Sequence, residues 1–85
     1  MLFPSNKFKK NLKKLNHAIQ DKVEFRLGLF VGDEFDEILN NHALHGRYDG
    51  YRSINITGNI RLIYRKVDSQ NYILYDIGTH PQLYE

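Results

Sequence analysis

The sequence predicts an α+β domain in which an N-terminal helix hairpin packs on one face of a small twisted antiparallel sheet. Three observations predict it. Apolar residues recur at helical spacing through the first third of the chain, and after Tyr48 the period changes to two. The strands so marked are joined by turns too short for crossover helices, which makes them an antiparallel meander. The 85 residues form one domain, 1–85, with a thin core, because folding at this size buries only about two-thirds of the chain's surface.

Phe8, Leu12, Leu15 and Ile19 make one stripe of an amphipathic helix, and Ser5 or Asn6 can cap it. Lys7, Lys9, Lys10, Lys13 and Lys14 fall mostly off that stripe, toward solvent. Ile19, Val23, Leu27 and Phe30 continue at helical spacing. A second helix is therefore expected from about Asp21 to Phe30, after a bend near Asn16–His17, with Gly32 as its stop. Asp33 to Asn41 is acidic and reads as a crossing loop, with Phe35, Ile38 and Leu39 as anchors. Alternation from Tyr51 to Ile56 marks a strand, and Ile60 to Val67 marks a second. Thr57-Gly58-Asn59 forms the tight turn between them. Asp68 to Asn71 is another turn, before a third strand over Tyr72–Ile77 that ends at Gly78. Met1 to Phe3 can add a strand, although Pro4 disfavours it. The sheet face away from the helices is left for a ligand.

Composition excludes several function classes. With no cysteine there is no disulfide, no thiolate metal site and no cysteine nucleophile. No apolar run approaches the roughly 20 residues of a membrane span, and charge occupies the place of a signal peptide's apolar region. The expected location is cytoplasmic, with no membrane partner. The net charge of +2 is unevenly spread. The first thirty residues carry seven Lys/Arg against two acids, and residues 31–46 carry four acids and no Lys or Arg. A basic segment on a near-neutral domain suits a polyanionic partner, or is simply a solvated helix face.

His42 and His45 lie on an expected loop without an acidic third ligand, so no metal set is predicted. Gly46, Gly50 and Gly58 make no phosphate loop, and no Ser-His-Asp arrangement is evident. What remains is a set suited to a polyanion: His42, Arg47, Arg52, Arg61, Arg65, His80 and Tyr84. RNA cleavage needs a base for the 2′-hydroxyl, a cation for the transition state and an acid for the leaving oxygen. Histidine titrates near neutrality, arginine grips phosphate through paired hydrogen bonds, and tyrosine stacks on unpaired bases. These residue types fit that chemistry without demonstrating it.

Four stretches carry a family resemblance: Asn41-His42-Ala43-Leu44-His45-Gly46, Gly50-Tyr51-Arg52-Ser53-Ile54-Asn55-Ile56, Arg61-Leu62-Ile63-Tyr64 and Gly78-Thr79-His80-Pro81-Gln82-Leu83-Tyr84. In that order they resemble the RelE/ParE superfamily of toxins, and most of all the YafQ-like branch of type II toxin–antitoxin modules. The resemblance extends weakly to the lysine-rich helices. It implies an mRNA interferase, a ribosome-dependent endoribonuclease that needs no metal or other cofactor. The implied partners are a cognate antitoxin, the ribosome with its rRNA, and mRNA.

The resemblance further implies a catalytic set of His42, Arg61, His80 and Tyr84. His42 and His80 would transfer protons, in roles left open, Arg61 would stabilise phosphate charge, and Tyr84 would orient the RNA. Lys7, Lys9, Lys10, Lys13, Lys14, Arg47, Arg52 and Arg65 would bind RNA. Blander roles stand beside these: His42 ordering its loop, Tyr84 closing the core, Arg52 in a structural ion pair. Two positions depart from the YafQ pattern. Asn55 stands where a histidine is expected and Asn59 where an acid is, and an asparagine amide exchanges no proton near neutrality. A catalytically weakened toxin that still binds its antitoxin, or a gyrase poison of the ParE kind, are the alternative readings.

Overall fold

A computed structural model describes residues 1–84. In chain order it has β1 (Leu2–Pro4), α1 (Asn6–Lys13), α2 (His17–Gly32), β2 (His42–Ala43), β3 (Arg52–Asn55), β4 (Ile60–Lys66), β5 (Tyr72–Thr79) and α3 (His80–Tyr84). Short 3-10 turns at Glu37–Leu39 and Gly46–Tyr48 flank β2.

Ser5 starts α1 by accepting the Phe8 N–H on Oγ at 3.0 Å. The same hydroxyl donates to the Tyr75 carbonyl at 2.7 Å, and the Ser5 N–H donates to the Leu74 carbonyl at 2.9 Å, so the helix start is tied to β5. α2 begins at His17, earlier than Asp21, because the Asn16 side chain accepts the Ile19 N–H and makes the bend itself a cap. The Gln20 amide donates to the Leu12 and Leu15 carbonyls, tying α2 to the turn that ends α1.

The sheet order is β1-β5-β4-β3-β2. All pairings are antiparallel except β1 with β5, which is parallel. The expected strand at the N-terminus therefore exists, as a parallel edge on an otherwise antiparallel sheet. The Thr57–Asn59 turn uses no positive φ among its residues. Thr57 Oγ1 instead accepts the N–H groups of Asn59 and Ile60.

The main core lies between the sheet and the helix pair. Phe8, Val23 and Phe30 meet Ile54, Leu62, Tyr64, Leu74 and Ile77 there. The opposite face is not bare. Leu44, Tyr48, Ile63 and Leu83 form a second cluster, flanked by Tyr51, Tyr75 and Tyr84. The cover comes from the Gly46–Tyr48 turn and α3; the strand expected to end at Gly78 runs to Thr79 and continues directly into a helix.

One irregularity sets the geometry of this second face. Ile63 pairs with Asp76, yet the next residue, Tyr64, pairs with Leu74. The extra residue is a β-bulge at Tyr75. Neighbouring residues of a regular strand point to opposite faces, but here Tyr75 packs with the second cluster and Asp76 is paired with Ile63 of that cluster.

Candidate catalytic face

Strand register sets two of the expected catalytic residues, His42 and Arg61, on the second face. His42 stands opposite Ser53, and Ser53 opposite Ile63. Two residues along, Asn55 stands opposite Arg61, and Arg61 opposite Gly78. Residues directly opposite share a face, as do residues two apart along a strand. His42, Asn55 and Arg61 therefore rise from the same side, with β2 and β4 two strand spacings, about 10 Å, apart. His80 follows two residues after Gly78.

His42 is exposed at the sheet edge, on a two-residue strand rather than a loop. Its Nδ1 lies 3.0 Å from the Asn40 carbonyl. A carbonyl only accepts, so this is a hydrogen bond when Nδ1 carries the proton, and the neutral tautomer that does so keeps its lone pair on Nε2. Asn40 holds a left-handed φ of 48°, which turns that carbonyl toward the ring.

His80 is the first residue of α3, where Thr79 and Gln82 form a reciprocal cap. The Thr79 N–H donates to Gln82 Oε1 at 2.8 Å, and the Gln82 N–H donates to Thr79 Oγ1 at 3.3 Å. A side chain at position 78 would crowd this cap, since a Cβ there would stand 2.9 Å from Gln82 Oε1. At the other end of α3 the Leu83 carbonyl accepts from Arg47 Nη2 and from the Tyr48 hydroxyl, both at 2.8 Å. These bonds fix both ends of a five-residue helix too short to stand alone. Tyr84 then packs on His80, with ring centroids 4.6 Å apart, and on Tyr48 at 5.7 Å.

Arg61 donates through Nη1 to the Thr57 and Gly58 carbonyls, at 3.1 and 3.0 Å. That anchors the guanidinium over the β3–β4 turn with its remaining donors free. Ser53 Oγ and Asn55 Oδ1 are buried on the same face with no hydrogen-bond partner among the described residues. The Asn55 oxygen can accept a hydrogen bond there, though the amide exchanges no proton.

The other cations divide into three groups. Lys7, Lys14 and Arg47 line a groove between α1 and α3. Lys9, Lys10 and Lys13 are exposed on α1, as is Arg65 on β4. Arg52 is not brought to this face. It pairs with Tyr64 on the helix-covered side, and its Nε donates to Asn41 Oδ1 at 2.7 Å while the guanidinium lies 5.2 Å from the Phe35 ring. Its structural role is thus a hydrogen bond to an amide, not the ion pair expected as the alternative.

That bond belongs to a network that no sequence spacing revealed. Asn41 Nδ2 donates to the Tyr64 hydroxyl at 2.6 Å, and that hydroxyl donates to Glu34 Oε2 at 2.5 Å. Glu34 Oε1 accepts from Lys66 and Tyr72. Burial first, and the Glu34 hydrogen bond second, push the Tyr64 phenol well above its usual pKa. The network clamps the acidic loop to β4 and holds Asn41, the residue before His42. The α3 cap, by contrast, was legible in Thr79-x-x-Gln82, the spacing of a capping box.

The comparisons agree with this architecture. Residues 2–85 match the family described as the bacterial toxin of type II toxin–antitoxin systems, YafQ. No curated protein matches the sequence. Among solved structures, YafQ from Escherichia coli superposes with a TM-score of 0.85 at 19% identity, over 100% of this chain and 98% of the other. The E. coli DinJ–YafQ toxin–antitoxin complex gives 0.81 at 21% identity, over 100% and 97%. A YoeB/ParE toxin from Agrobacterium tumefaciens gives 0.78 at 18% identity, over 93% and 96%. Among the described residues no helix is long and apolar enough to cross a membrane.

Proposed function

This chain belongs to the YafQ family of bacterial toxins of type II toxin–antitoxin systems, and is an mRNA interferase of that kind; from that premise we propose that it cuts mRNA on the ribosome by acid–base catalysis without a metal. It would work in the cytoplasm and be silenced there by a cognate antitoxin, as the DinJ–YafQ complex pairs toxin with antitoxin. The observation that supports the reading is a shared face: His42 and Arg61 rise from the same side of the sheet, and Tyr84, on which His80 packs, belongs to the cluster of that side.

In this mechanism His42 Nε2 takes the proton of the 2′-hydroxyl as its oxygen attacks the adjacent phosphorus. The P–O5′ bond breaks, and His80 gives a proton to the departing 5′ oxygen. The products are a 2′,3′-cyclic phosphate and a 5′-hydroxyl. Arg61 meets the charge that builds on the phosphoryl oxygens, where one preorganised donor is worth about 3–4 kcal/mol by analogy with oxyanion holes. Tyr84 presents a ring for base stacking, worth about 1–3 kcal/mol per base. Lys9, Lys10, Lys13 and Arg65, free of ion pairs among the described residues, meet ribosomal phosphates. Arg52 is withdrawn from the RNA-contacting set.

The test is expression without antitoxin, with cleavage mapped on translating ribosomes. The parent is expected to arrest growth and cut mRNA, and chelator-treated toxin to cut as fast as untreated. His80→Ala is expected to do neither while folding normally. Growth arrest by His80→Ala at the parent's level would overturn the assignment. Intact mRNA alongside tight antitoxin binding would show a regulatory protein instead.

A further inference from the structure

The groove between α1 and α3 has a volume of about 670 Å³, within the range of sites that hold small molecules. Its floor is unusual. Asp76 is only 4% exposed. Its Oδ1 accepts from Asn11 Nδ2 at 2.7 Å and from the Ile77 N–H at 2.8 Å. Among the described residues its Oδ2 meets the Lys7 ammonium alone, at 3.6 Å, which leaves acceptor capacity toward the groove. The bulge puts Tyr75 in the same groove as its neighbour Asp76, and Tyr51 lies against Tyr75 with ring centroids 5.1 Å apart. Of the five lysines at positions 7 to 14, only Lys7 and Lys14 line the groove, seven residues apart on one helix face. Arg47 closes the other side.

We propose that this groove is a nucleotide-binding subsite, taking one nucleotide of the RNA next to the cleaved linkage. The proposal rests on the reading of RNA as substrate. The base stacks on Tyr75 in place of the Lys7 ammonium, which lies 5.2 Å from the ring centroid, a base-edge N–H donates to Asp76 Oδ2, and the phosphate meets Lys14 and Arg47. This mixture of groups selects a nucleotide over an acidic peptide. A peptide carboxylate that reached the floor would meet Asp76, whereas a nucleotide is anionic at one end and carries donors at the other. The site adjoins the catalytic face through α3, since Leu83 lines the groove while the next residue, Tyr84, packs on His80. Bases with an exocyclic amino group fit the carboxylate best. The single N3–H of uracil is flanked by two carbonyls that repel it.

The experiment titrates the whole protein with GMP, CMP, AMP, UMP and inorganic phosphate, following the backbone amides of Gly78 and Tyr51 by NMR. The three amino-bearing nucleotides are expected to shift these amides, UMP weakly and phosphate not at all. Asp76→Asn is expected to weaken GMP by about fivefold to tenfold and to reduce the preference over UMP. Lys14→Ala, on the exposed side of α1, is expected to weaken all four nucleotides alike, which keeps the test available should Asp76→Asn fail to fold. Equal shifts from inorganic phosphate, or shifts confined to residues around Arg61 and His80, would overturn the proposal. So would protection of these amides by the antitoxin with no response to any nucleotide. Cleavage of mRNA by the parent is read separately, so an unresponsive groove in an active toxin refutes the subsite alone. A responsive groove in a protein that leaves mRNA intact refutes the nuclease reading instead.

Discussion

Tyr64→Phe isolates the clamp that holds the acidic loop. The substitution keeps the ring, which is fully buried against Phe30 and Tyr72, and removes only the hydroxyl. That hydroxyl is the donor to Glu34 Oε2, because Lys66 and Tyr72 both reach Oε1. A carboxylate oxygen whose side chain is 9% exposed is then left without its hydrogen bond. Bonds to charged groups contribute about 1.5–3 kcal/mol. Asn41 loses one acceptor but keeps the Glu34 carbonyl at 3.0 Å, so its loss adds little. The expected cost is about 2–3 kcal/mol, or roughly 10–20 °C in Tm for a domain of this size. Urea unfolding at neutral pH measures it, and a double-mutant cycle with Glu34→Gln is expected to show coupling of about 1–2 kcal/mol.

The pH dependence gives the same experiment a signature. The Tyr64 pKa is raised above its ordinary value of 10.0 in the folded protein. Stability from its neutral hydroxyl is therefore complete below pH 10 and is lost as pH climbs from there toward the folded value. One such group costs at most about 1.4 kcal/mol per pH unit. Tyr64→Phe is expected to unfold with a shallower alkaline slope than the parent. A stability change below about 0.5 kcal/mol, together with an unchanged alkaline slope, would refute the clamp.

Two further outcomes follow from the site. Gln82→Ala removes half of the reciprocal cap on α3, and is expected to cost about 0.5–1 kcal/mol while lowering mRNA cleavage by about tenfold, since small displacements of a proton donor are expensive; equal cleavage would show that His80 needs no such support. Replacing Lys9, Lys10 and Lys13 together by alanine is expected to weaken ribosome binding and to flatten its dependence on log salt by about two to three units, read by sedimentation at several salt concentrations.

The parts of the fold that were legible in the sequence are those long enough to show a period. The Phe8–Leu12–Leu15–Ile19 stripe and the run from Ile60 to Val67 each span several repeats, and α1 and β4 begin where they were expected, although α1 stops at Lys13 and the stripe passes through the turn at Leu15 into α2 at Ile19. The misplaced elements are shorter than their own signal. His42–Ala43 offers two residues of alternation. α3 has five, one of them Pro81, which reads as a breaker although it is tolerated in a first turn. The bulge at Tyr75 was hidden because Tyr72–Ile77 is apolar on both faces apart from Asp76, so an extra residue leaves the pattern unchanged. Arg52 was legible as a cation but not by direction, since its partners Asn41 and Phe35 come from a loop whose path no periodicity describes. The catalytic candidates were named by family resemblance. What the structure adds is the register that puts His42 and Arg61 on one side, and the cap that fixes His80.

The pairing of Leu2 with Tyr72 and of Pro4 with Leu74 has a consequence for the order in which the sheet can close. β1 has no neighbour until β5, some seventy residues further along, has been made, and the hydroxyl of Ser5 waits for the same segment. Long-range closure of this kind comes last in folding. The first edge of the sheet is therefore the part of the fold that waits longest for its partner, while the helix pair and the antiparallel hairpins close over much shorter stretches of chain.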